Sequence, residues 1–198
     1  MSSFRTEPFL WIHLAGVAVA PLALLVAWVA LAVATPVTPY ALELLLLVGA
    51  GMVPVFWMQW QRPFEIFSLL LIALRPDQLS EAQRRILALF LRPQRRWLTL
   101  LGALLLLVKL GVIYYYAPLA AMVALELPQV RLLALLVAAV AFFMANLFLQ
   151  VPLSVLGVLL TSQDTYEATQ PLESTEVQAK FTIPGFRVRA LPWLTAQQ

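Results

Sequence analysis

Few residues in this chain could do chemistry, and most of them stand inside apolar sequence. Lys109 interrupts the run Trp97 to Ala117, and a charge within a membrane span is a functional candidate by default. Its alternatives are to snorkel to an interface about 12 Å away, or to pair with Glu43, near the same face. The expectation is that Lys109 and Glu43 are neighbours. His13, one turn into the first apolar run, could be an axial ligand to a chlorophyll or haem, or an interfacial hydrogen-bonder. Asn146, Gln150, Ser154, Gly157 and Thr161 fall within about 80 degrees of one another on a helix and form a polar, small-residue stripe. Such a stripe serves a helix contact, with amides bonding across spans, or a ligand or pigment site at Asn146 or Gln150.

Other chemistry is missing from the sequence. There is no cysteine and one histidine, which excludes disulfides, thiol nucleophiles, cysteine-ligated metals and a multi-histidine site within the chain. No Gly-rich phosphate loop, serine–histidine–acid set or paired intramembrane carboxylates occur. The reading is therefore of a protein that is not an enzyme, with no catalytic residue, no metal and no cofactor.

The elements that must position these residues are apolar spans. With 62% hydrophobic and 12% charged residues, and a mean hydropathy of +0.87, the chain falls outside the range of soluble domains. Spans are expected over residues 9–34, 41–58, 97–117 and 132–160. The first is nearly twice the length of a signal-peptide core, so it reads as retained despite the small residues Ala32 and Ala34. Pro21 should kink it. The short turn TPVTPY makes a tight hairpin of the first two spans. Pro152 interrupts the fourth run, whose 29 residues would measure about 43 Å, so that helix either tilts or leaves the bilayer near Gln150.

Between the second and third spans lies the basic stretch Trp57 to Trp97, with Arg62, Arg75, Arg84, Arg85, Arg92, Arg95 and Arg96. Each arginine would cost about 2.5 to 3.5 kcal/mol at the bilayer midplane, so the stretch must lie outside it. Two interfacial helices are expected there, at about 63–75 and 80–92, the second opened by a Ser80/Gln83 capping box. The fold class is then an all-α polytopic membrane protein, with four transmembrane helices and an amphipathic two-helix cytoplasmic loop. Residues 1–160 form the membrane domain. Residues 161–198 form a C-terminal tail, with a flexible polar linker first and then a docking segment containing Phe181, Ile183, Pro184, Gly185, Phe186, Val188 and Trp193.

Four spans put both termini on the side of the basic stretch, with eleven of the thirteen Lys and Arg residues. The positive-inside rule then places both termini in the cytoplasm. Anionic lipid is the expected partner for those arginines, rather than nucleic acid, because they border spans. Another membrane protein or complex is the second expected partner.

The segments SFRTEPFLWIHLAG, WMQWQRPFEIFSLLLIALRPDQLSEAQRRIL, NLFLQVPLSVLGVLLTS and FTIPGFRV resemble the cyanobacterial low-complexity tail membrane proteins. That resemblance implies a four-span layout and a photosynthetic bacterial host, hence thylakoid or plasma membrane, and brings no catalytic residues. Two functions follow as expectations. One is a non-enzymatic scaffold or assembly factor on a larger, photosynthetic membrane complex. The other is a small-molecule or pigment carrier, or transporter subunit, with a cavity lined by Asn146, Gln150, Ser154 and Lys109.

Overall fold

The computed structural model describes residues 3–36, 38–69, 72–183 and 185–189. Four helices are long and apolar enough to cross a membrane. In chain order they are α1 (Pro8–Ala32), α2 (Tyr40–Gln61), then, after the short α3 (Glu81–Phe90), α4 (Gln94–Tyr115) and α5 (Arg131–Leu159). α5 has the largest buried share of the four and packs against the other three.

Three of the long helices contain a proline, and each accommodates it differently. In α1 a 3-10 turn at Gly16–Ala18 tightens the chain just ahead of Pro21. In α2 a π-helical turn at Val48–Met52 precedes Pro54, which has no N–H and crowds the carbonyl four residues back. α5 continues through Pro152 without a break. It does not end near Gln150, and its last turns (Val155, Val158, Leu159) join an apolar cluster with Phe4, Leu89 and Phe90.

That cluster is the core of a module at one end of the bundle. The expected helix at about 63–75 is not formed. Ser68–Leu69 (β1) and Ile72–Leu74 (β2) pair antiparallel, and β2 pairs in parallel with β3 (Phe186–Val188). The all-α expectation is corrected by this three-stranded sheet. The cause is non-local: Glu65 N donates to Thr182 O at 3.0 Å, Thr182 N to Pro63 O at 2.9 Å, and Arg75 N to Val188 O at 3.0 Å. Ile66 and Phe67, in the bend just ahead of β1, are both fully buried. The second expected helix is present as α3, with both arms of its Ser80/Gln83 capping box made.

The tail is also corrected. Instead of a flexible linker, it forms α6 (Gln163–Ala168) and α7 (Ser174–Lys180), which bury Tyr166, Leu172 and Val177 in the same cluster. Phe181 beyond them is fully buried, and Arg62 Nη2 clamps this segment by donating to Gln178 O at 2.8 Å and Phe181 O at 2.9 Å. Phe186 points outward, while Pro184 and Trp193 lie outside the described residues. The docking partner of the tail is thus the chain's own middle.

Truncating Phe181 to Ala should cost the docked tail about 3 to 5 kcal/mol. Hydrogen exchange checks this: amides of residues 174–183 should exchange faster, with those of α4 unchanged.

Candidate functional site

Polar groups inside the bundle lie at its two ends and along α5. At the end away from the sheet, Glu43 on α2 is 1% exposed and is paired with Arg131, the first residue of α5. Arg131 Nε donates to Glu43 Oε1 at 3.0 Å, and Nη2 donates to Oε2. Arg131 Nη1 reaches the closing carbonyls of α1, Leu31 O at 2.8 Å and Val33 O at 2.9 Å. Tyr114 on α4 donates its hydroxyl to Glu43, and Thr38 does so at 3.2 Å. One guanidinium on α5 therefore touches groups from the other three long helices. Around it, Gln129 holds the connecting loop by donating to Ala124 O at 2.6 Å and accepting from Ala34 N at 3.0 Å.

Lys109 is not part of this arrangement. Its side chain is exposed on the outer surface of α4, so the expected Lys109–Glu43 pair is replaced by Arg131–Glu43. Depth explains the substitution. Glu43 is three residues into α2 and Arg131 opens α5, whereas Lys109 lies six residues, about 9 Å, inside the end of α4. A base immediately before an apolar run, opposite an acid just inside another, was the available signal.

The stripe on α5 faces the bundle, with Asn146, Gln150 and Ser154 buried. Its amides do not bond across spans. Asn146 Nδ2 donates to Phe142 O at 2.9 Å, Gln150 Nε2 to Asn146 Oδ1 at 3.1 Å, Ser154 Oγ to Gln150 O at 3.0 Å and Thr161 Oγ1 to Gly157 O at 3.2 Å. Each of these donors finds its acceptor four residues back on its own helix. The contact itself is steric and reciprocal. A Cβ on Gly157 would lie 2.8 Å from Leu98 of α4, and a Cβ on Gly102 of α4 would lie 2.7 Å from Leu153 of α5. Each helix thus offers a glycine notch to the other's leucine.

Along α4, the matching face carries Arg95, Thr99 and Gly102, a series the sequence reading passed over. Arg95 and Thr99 are buried, as is Gln59 on α2. Thr99 Oγ1, both side-chain polar atoms of Gln59 and Gln150 Oε1 have no partner among the described residues.

His13 is half-buried, and its Nδ1–H donates to Phe9 O at 2.9 Å. It lines a groove of about 320 Å³ with Ile12, Phe64, Leu69 and Phe148, where no second polar side chain converges among the described residues. Of the seven arginines assigned to the membrane surface, Arg95 is buried and Arg62 is spent on the tail. Arg85 pairs with Glu81 at 2.9 Å, Arg75, Arg84 and Arg92 are half-buried, and Arg96 is exposed. In the same module Glu65 is 1% exposed, its Oε1 accepting from Phe67 N at 2.6 Å, and burial pushes its carboxyl up to about 7.

The arrangement holds helices together and assembles no group of His, Asp or Glu able to hold a metal among the described residues. With four helices that can span a bilayer, it defines a multi-pass membrane protein. The chain matches the low-complexity tail membrane protein-like family over residues 6–193, and belongs to it. No curated protein and no solved structure matches it.

Replacing Arg131 with Leu should destabilise the bundle by about 3 to 5 kcal/mol, because Glu43 is then buried alone, whereas Lys109→Leu should change it by less than about 0.5 kcal/mol. Thermal unfolding in detergent compares the two. Glu65 gives a pH signature as well. Its folded pKa lies above the ordinary value of 4.5, so its contribution is fully present below that value and is lost as pH rises through about 7. The module should exchange amides faster at pH 8 than at pH 5.5, after correction for intrinsic rates, and Glu65→Gln should remove that difference.

Proposed function

We propose that this chain is a non-enzymatic membrane scaffold or assembly factor that holds another membrane protein. The observation that carries the reading is the use made of the interior polar groups. Arg131, Glu43, Tyr114 and the α5 stripe are committed to one another or to their own helices. Those groups hold helices and not a substrate. The middle of the chain and its tail fold together into a module whose apolar core takes in the ends of α1 and α5. A rigid surface of that kind, fixed to a bundle, suits a protein that presents itself to a partner.

The carrier reading asks for a cavity lined by Asn146, Gln150, Ser154 and Lys109. Of four cavities found among the described residues, none is lined by Asn146, Gln150 or Lys109, and Ser154 lines one of about 230 Å³. In this proposal the basic module and both termini face the cytoplasm, following the positive-inside rule. The family resemblance adds the thylakoid or plasma membrane of a photosynthetic bacterium as the setting.

Gentle detergent extraction of a tagged chain, with mass spectrometry and an absorption spectrum, tests the proposal. Stoichiometric recovery of another membrane protein is expected. Recovery of the chain alone with a pigment or other small molecule would overturn it.

A further inference from the structure

At the sheet end of the bundle a guanidinium is buried without a counter-charge. Arg95 is 7% exposed, and its Nε and Nη1 have no acceptor among the described residues. Its one hydrogen bond is long, from Nη2 to Trp60 O at 3.4 Å. Arg131, at the other end of the bundle, shows what a buried arginine in this chain otherwise looks like, with every nitrogen bonded and a carboxylate alongside.

Arg95 lines a cavity of about 230 Å³ between the start of α4 and the end of α5. Arg92, Gln94, Ser154 and Thr161 share the lining, and no Asp or Glu does. The fixed charge around the cavity is positive. Arg92 adds a second cation, and the positive end of α4 points the same way. The negative end of α5 is neutralised from outside, because Arg5 Nε donates to Leu159 O at 3.0 Å and Arg5 Nη2 donates to Thr161 O at 2.8 Å. Ser154 and Thr161 already donate their hydroxyls to carbonyls of α5, so the side chains left to meet an anion are those of Arg92, Gln94 and Arg95.

We propose that this cavity binds a phosphate-type oxyanion, held by the positive charges of Arg95 and Arg92 on its lining. The volume is below the range of drug-sized pockets, so it suits a phosphoryl group and not a large ligand. Two sources share this chemistry, a phospholipid headgroup and free phosphate. The remaining wall is apolar, with Leu98 and Val158, and exposed Leu160 at its edge, as a headgroup trailing acyl chains would require. The inference stands on Arg95 and its surroundings and not on the scaffold reading.

The test uses the full chain in mild detergent. Native mass spectrometry counts bound phosphatidylglycerol against phosphatidylcholine, and thermal unfolding is followed with and without inorganic phosphate. Wild type should retain phosphatidylglycerol preferentially. Arg95→Gln should lower that retention by about tenfold, the scale of one charge-assisted hydrogen bond, while Arg96→Gln, at the exposed neighbour, should keep it. Thr161→Glu keeps Arg95 and offers it a carboxylate from the cavity lining, so it should release the lipid too, and it decides the matter if Arg95→Gln does not fold. A rise in midpoint with inorganic phosphate, seen in wild type and absent from Arg95→Gln and Thr161→Glu, would support the site with free phosphate as the source. Equal retention of both lipids by wild type and variants, with no response to phosphate, would overturn the proposal.

Discussion

A guanidinium cannot be left bare in an apolar interior, and the ends of this bundle are organised by what surrounds its two buried ones. Arg131 is the closed case. All five of its N–H donors can be assigned to Glu43, Leu31 O, Val33 O and Tyr114, and these come from α2, α1 and α4. A carbonyl at a helix end has no intrahelical donor, so α1 needs a partner where it closes and Arg131 supplies one. One side chain thereby fixes the depth of α5 against three other helices. Such a pair contributes more to placing the helices than to net stability, since desolvating both ions consumes most of their attraction.

Between the ends, α4 and α5 are held by shape. Polar side chains on α5 turn back to their own backbone, which leaves a smooth surface for the glycine notches at Gly102 and Gly157. Another close approach follows the same rule: a Cβ on Gly51, within the π-helical turn of α2, would lie 2.8 Å from Phe142 of α5. The extra residue in that turn does two things at once. It relieves the crowding ahead of Pro54 and presents a glycine where α5 comes nearest.

The sequence makes the spans legible because their signal is local: apolar runs, proline breaks and aromatic ends need no knowledge of the rest of the chain. Ser80 and Gln83 are legible for the same reason, being three residues apart and bonded to each other. The segment Phe64 to Leu74 fails on the same ground, because its partners Thr182 and Phe186–Val188 lie more than a hundred residues away. Apolar composition alone cannot tell a buried strand from a short helix. The pairing of Glu43 was misassigned by a different route. Lys109 is conspicuous in its apolar surroundings, yet a long flexible ammonium can reach water from that depth, whereas Arg131 stands at the border of a span, where a base draws no attention. For the stripe on α5 the face was visible, but its amides could bond along or across helices, and spacing cannot choose between them.

Arg95 and Arg131 show why the two ends of the bundle differ. Both are buried arginines near the start of a long helix, and both lie near the end of another long helix. At the Arg131 end the chain supplies the carboxylate, and the site is complete. At the Arg95 end no acid lines the cavity: Glu65 turns its Oε1 to Phe67 N, and Glu81 pairs with Arg85. An arginine that is only structural would be worth replacing with an apolar residue of similar size, since an uncompensated buried charge weakens the fold around it. Among the described residues no carboxylate balances Arg95, and the end where the middle segment and the tail fold together is where an anion from the membrane face would reach it.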